Sequence, residues 1–132
     1  MTGFTNGSLF AQGHDDAFVA KLDGNDGALL WGVQFGAASD GGNDVAVAPD
    51  GTVYVTGNTD GELFPPRLGN RDVWVVRFDQ DGTMIQGGQF GTRGNDYANK
   101  IAVAADGTAF VTGNHYNDLP NFFAKLPPVT AP

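Results

Sequence analysis

Two turn-like phrases, Asp23-Gly24-Asn25-Asp26-Gly27 and Asp79-Gln80-Asp81-Gly82, crowd oxygen donors into a few residues, which is the donor chemistry of a hard cation such as Ca²⁺. Such a cation takes about six to eight oxygens, and an EF-type loop closes on a bidentate Glu at its twelfth residue. Counted from Asp23 the twelfth residue is Gln34, and counted from Asp79 it is Phe90. Neither supplies that ligand, so Asx turns in hairpins are expected instead. Asp50-Gly51 and Asp106-Gly107 read as tight turns between adjacent strands.

The other reactive side chains form no set. Asp40 and Asp96, with Asn43 and Asn99, recur at equivalent positions and are expected to tie loops together rather than to act as paired general acids. A structural device is needed in every repeat, whereas an active site is needed once. His14 and His115 are not equivalent and have no partners at metal-ligand spacing, so both are expected in surface loops. Ser8 and Ser39 lie in no G-x-S-x-G elbow. Trp31 and Trp74 are expected in the core rather than stacked on a sugar. The loop from Pro65 to Arg71 is different, since it adds two arginines that the preceding unit lacks. A non-repeated loop is where function sits on a repetitive scaffold. No catalytic, cofactor or metal residues are assigned.

The elements that position these residues follow from repetition. Thr2 to Phe10 (TGFTNGSLF) and Thr56 to Phe64 (TGNTDGELF) share six of nine residues. Asp16 to Asp23 (DAFVAKLD) matches Asp72 to Asp79 (DVWVVRFD), and the QFG at Gln34 to Gly36 matches that at Gln89 to Gly91. Val45 to Gly57 (VAVAPDGTVYVTG) matches Ile101 to Gly113 (IAVAADGTAFVTG). The spacing is 54 residues from Thr2 to Thr56 and 56 from Thr56 to Thr112. A partial third copy follows, in which Asn121 to Leu126 (NFFAKL) echoes AFVAKL before a Pro-rich tail at 127–132. The repeats thus run over about 2–55, 56–111 and 112–126 within one domain.

Within each repeat, apolar residues alternate with period two, and both faces are substantially apolar, as in a strand buried between layers. Strands are expected at about 17–22, 28–35, 43–48 and 52–56, then 72–78, 83–90, 99–104 and 108–113, with an orphan at 122–126. No ten-residue stretch has helical periodicity. Of the 15 acidic residues only Glu62 is Glu, and a bias towards Asp favours turns over helix interiors. Four short antiparallel strands in each repeat of about 55 residues describe a β-propeller blade.

These landmarks resemble the SBBP repeat, a bacterial β-propeller repeat. They are Asp16 to Asp23, Leu30-Trp31, Phe35-Gly36, Val45 to Val47, Gly51 to Gly57, Thr59 and Phe64-Pro65. The second unit departs at Gln86, which stands where the first has Trp31. The resemblance implies propeller blades and a bacterial secreted or cell-surface protein, and carries no single biochemical activity. A second resemblance, to PQQ-type repeats, rests on Leu22-Asp23, Gly27 and Trp31. Those repeats are shorter, which argues against them.

A propeller has about four to eight blades, and the strand count here gives two sets and an orphan. Leaving a blade face of roughly 400 Å² wet forgoes about 10 kcal/mol at ~25 cal/mol/Å². That rivals the whole stability of a domain, about 5–15 kcal/mol. The expectation is either further blades in a longer chain, or self-assembly of several chains into a ring with strand 122–126 crossing to a neighbour.

Composition excludes other classes. The net charge is -8, so nucleic acid and anionic membranes are not expected partners. No run approaches the roughly 20 apolar residues of a membrane span, and no signal peptide is visible. Zero cysteines exclude disulfide frameworks and thiolate metal sites. The expected function is a non-enzymatic scaffold for protein or glycan contact. The alternative is part of a propeller enzyme, lyase-like or PQQ-like, with its catalytic residues in other blades.

Overall fold

The period-two runs become strands in the computed structural model of the protein, which describes residues 1–10, 15–116 and 122–127. Among the described residues the fold is all-β. In chain order the strands are β1 (Thr2–Thr5), β2 (Asp16–Leu22), β3 (Leu29–Phe35), β4 (Asp40–Val47), β5 (Val53–Thr59), β6 (Asp72–Phe78), β7 (Met84–Phe90), β8 (Asn95–Val103), β9 (Ala109–Tyr116) and β10 (Phe122–Leu126).

Every strand pairing within a sheet is antiparallel, and the sheets are open. The first sheet has the order β1-β2-β3, the second β4-β5-β6-β7 and the third β10-β9-β8. They stack face to face, with β1 and β2 against β4 on one side and β4, β5 and β6 against β8 on the other. The described strands close into no barrel or ring.

The alternation in β5 and β6 explains why the four-stranded sheet lies in the middle. Val53, Val55, Trp74, Val76 and Phe78 pack with Ala17, Val19, Val33 and Phe35 of the first sheet. The intervening Tyr54, Val73 and Val75 pack with Ala98, Ile101, Ala109 and Val111 of the third. Every residue of β6 is buried, as its doubly apolar pattern predicts. Trp74 and Phe78 are fully enclosed, and the Phe35 ring meets Trp74 edge-on at 5.2 Å.

The strand grouping expected from the sequence is corrected here. The runs at 17–22, 28–35, 43–48 and 52–56 do not share one sheet. The complete sheet is built from 40–47, 53–59, 72–78 and 84–90, straddling the two repeats, and a three-stranded sheet flanks it on either side. The physical reason is the long loop 60–71. It lets β5 continue antiparallel into β6, while the turn from β3 leads to β4 in the next sheet. β1 accordingly takes the place of β5, the second strand of its sheet, rather than a last strand. β10 is not an orphan, since it pairs with β9 from Phe122↔Gly113 to Leu126↔Ala109.

Two local devices recur. The turns after β4, β6 and β8 each end on a glycine at positive φ, 89° at Gly51, 87° at Gly82 and 87° at Gly107, a conformation L side chains adopt at a cost. Bulges fall at Asn43 in β4 and Asn99 in β8, each an extra residue opposite the pairs flanking it. The recurrence of these two asparagines in the sequence is thus a repeated bend in the strand that leads each sheet.

Candidate functional site

The polar residues that repeat are consumed by architecture. Gln89 accepts from the backbone N–H of Leu63 and Phe64, both at 3.0 Å, and its amide donates to Gly61 O at 2.9 Å and to Asp72 Oδ2 at 2.8 Å. Gln34 does the same one repeat earlier, accepting from Leu9 and Phe10 and donating to Gly7 O and Asp16 Oδ2. The Gln of QFG therefore clamps the loop that follows the strand bearing Thr-Gly.

Asp40 and Asp96 tie the neighbouring loop, as expected. Asp40 accepts from Ala37 N (2.6 Å) and Ala38 N (2.9 Å), and Asp96 from Thr92 N (2.7 Å). Gly91 runs between two buried carboxylates. A Cβ there would lie 2.6 Å from Asp96 Oδ2 and 2.8 Å from Asp72 Oδ1, and Gly36 is flanked in the same way by Asp16 and Asp40. The glycine of QFG is a close approach, since a larger residue would displace a carboxylate. Asn43 reaches across to the next sheet and donates to Ala98 O at 2.6 Å, whereas Asn99 donates to Asn114 Oδ1 within its own sheet.

The Asp-rich turns are Asx turns. Asp23 Oδ1 accepts from Asn25 N at 2.8 Å, and Asp79 Oδ1 from Asp81 N and Thr83 N at 2.9 Å each. Asp50 and Asp106 accept from Thr52 and Thr108, and those backbone hydrogen bonds hold both carboxyls below the ordinary aspartate value. Among the described residues no three His, Asp or Glu side chains converge at metal-binding geometry.

Trp74 is wholly buried and offers no face to a sugar, whereas Trp31 is partly buried over Phe78 and donates its indole N–H to Gln80 O at 2.9 Å. His14 lies outside the described residues. His115 departs from the expected exposed loop position, because it sits on β9 with its Nδ1 against buried Asp96 Oδ1. Asp96 also takes the Thr92 hydroxyl at 3.2 Å. Ser8 and Ser39 have no catalytic partners among the described residues, and Ser39 instead lends its carbonyl to Asp60 N.

The non-repeated loop supplies the distinctive chemistry. Arg67 folds back within the loop, its backbone N–H on Glu62 Oε2 and its guanidinium on Gly69 O and Asn70 O. Arg71 forks onto Asp60 through Nε and Nη2, and the Nη2 bond is 2.7 Å. Its guanidinium lies 5.1 Å from the Tyr97 ring centroid, with Nη1 3.4 Å from the Tyr97 hydroxyl. The hydrogen bonds to Asp60 raise the Arg71 pKa, so it stays cationic at every working pH. Tyr97 in turn meets Tyr116 edge-on at 5.2 Å.

Arg71 opens onto a cleft of about 300 Å³ lined by Phe4, Asp15, Ser39, Asp40, Gly41 and Asn58. Phe4 is 70% exposed there. The cleft therefore joins a fixed cation, amide and carboxylate groups, and an exposed ring. That suits recognition of a polar ligand, and it holds no nucleophile–base pair. Sequence reading singled out the loop, but not the Asp60, Tyr97 and Asn58 positions that complete it, which are distant in the chain. The departure of Asn58 and Asp60 from Phe4 and Asn6 in the first repeat was the available signal.

Neither a protein-family model nor a curated protein matches the sequence.

Proposed function

We propose that the chain is a non-enzymatic, propeller-type repeat module whose loop end makes contact with a protein or glycan. Each stacked sheet is read as a blade or part of one, in keeping with the SBBP-like phrases, and that likeness points to a bacterial secreted or surface setting. One contrast carries the reading. Gln34, Gln89, Asp40, Asp72 and Asp96 are spent on holding loops, while Arg71, from the one non-repeated loop, faces an open cleft. Loops on a rigid scaffold are where binding residues concentrate.

Screening the protein against glycan and peptide arrays, in parallel with Arg71→Ala, tests this reading. A ligand bound by the wild type and lost at least tenfold in a folded Arg71→Ala variant is expected. Binding indifferent to that substitution, or no binding on either array, would overturn it.

A further inference from the structure

At the opposite end of the molecule, where the tight turns lie, the first two sheets part around a cavity of about 360 Å³ lined by Lys21, Leu22, Trp31, Val47, Gly51 and Val53, among others. The internal repeat tells what fits there. Between the second and third sheets the equivalent place is filled by Tyr54, flanked by Val53 and Val55 on β5. Its hydroxyl donates to Gly107 O at 2.9 Å and its ring lies 5.1 Å from Arg77 Cζ. Gly51 is the repeat equivalent of Gly107, and Lys21 that of Arg77. The cavity thus keeps the cation and the turn glycine that receive Tyr54 one sheet away, with no ring between them.

The backbone there is also open. Val53, Tyr54 and Val55 pair with Phe78, Arg77 and Val76, and Ala109, Phe110 and Val111 pair with Leu126, Lys125 and Ala124. In the first sheet Ala20 exchanges both its hydrogen bonds with Met1, at 2.8 and 2.9 Å, and the β1–β2 register runs from there through Thr2↔Val19. In an antiparallel ladder the next residue, Lys21, turns its backbone groups the other way, towards Trp31 of β3. Leu22 then points its N–H and C=O back to the open side, and it is 42% exposed.

We propose that this groove is a peptide-docking site for an extended segment of another protein, of apolar–tyrosine–apolar pattern, which adds as a strand antiparallel to Ala20–Leu22. The incoming backbone bonds Leu22, and the tyrosine ring enters the cavity with its hydroxyl towards Gly51 O. Main-chain bonds supply affinity and the pocketed ring supplies specificity. The proposal refines the protein-contact reading, but it concerns the other end of the molecule.

The probe is a fluorescein-labelled peptide carrying the chain's own residues 52–57, Thr-Val-Tyr-Val-Thr-Gly, titrated with the full chain by anisotropy. Saturable binding is expected, with a change in Trp31 fluorescence and at least a tenfold loss when the peptide's tyrosine is replaced by serine. Val47 is 63% exposed, so both substitutions there spare the core. Val47→Trp fills the cavity and abolishes binding, whereas Val47→Ala retains it. Absence of binding, or binding unchanged by the serine peptide or by Val47→Trp, overturns the proposal. Arg71→Ala leaves peptide docking intact, so failure here is separable from failure at the loop end.

Discussion

Gln89 and Asp106 show how single polar side chains maintain this fold. Gln89 satisfies two backbone donors, one backbone carbonyl and the Asp72 carboxylate. A Gln89→Ala substitution leaves several of those groups unpaired, and each net hydrogen bond contributes about 1 kcal/mol. A destabilisation of roughly 2–4 kcal/mol is expected in urea unfolding, and Gln89→Glu, which keeps the acceptor but places a charge beside Asp72, recovers little of it. At Asp106 the folded carboxyl pKa lies below its unfolded value because Thr108 N–H donates to the ionised form. The stabilisation is therefore present above the unfolded pKa, about 4, and is lost as pH falls through the lower folded value. Asp106→Ala should lower the melting temperature slightly at pH 7, with the gap closing at strongly acidic pH. Tm measured for both proteins across pH 2–7 checks this, and a gap that persists in acid would assign the effect to something other than the carboxylate.

At the scale of elements, the period-two runs and the Asp-Gly turns were legible in the sequence, because each rests on local chemistry. All the runs became strands, with β8 beginning earlier than expected, at Asn95. The grouping of strands into sheets was not legible. A tandem repeat looks the same from any starting point, so DAFVAKL followed by VAVAPDG does not say whether the intervening loop stays in a sheet or leaves it. The Gln clamp and the Asn43 and Asn99 bulges were likewise visible only as recurrences, since their partners are set by register and stacking. Arg71 was legible as an exception in a repeated text, but its fork to Asp60 and its place over Tyr97 were not. Turn glycines make a prediction here: Gly107→Ala at φ 87° strains the β8–β9 hairpin and is expected to cost about 1 kcal/mol. Gly24→Ala, with nothing within 4 Å of its Cβ and no positive φ, is expected to be near neutral. Urea midpoints of the two variants compare them directly.

For the whole molecule, the middle sheet is the keystone. Trp74, Val76 and Phe78 are enclosed by the first sheet, while their equivalents Phe18, Ala20 and Leu22 lie on that sheet's outer face, where Phe10 covers Phe18 edge-on at 6.2 Å. Trp74→Ala removes the largest enclosed side chain and should cost about 3–5 kcal/mol, whereas Leu22→Ala should cost under about 1.5 kcal/mol, because Leu22 is 42% exposed. Amide hydrogen exchange read by mass spectrometry tests the central claim, three stacked sheets centred on β4 to β7, most directly. The slowest exchange should fall on β5 and β6, with β1, β3 and β10 opening earlier. Equal protection of segments 16–35 and 72–90, as for two like units each folding on its own sequence repeat, would contradict the account.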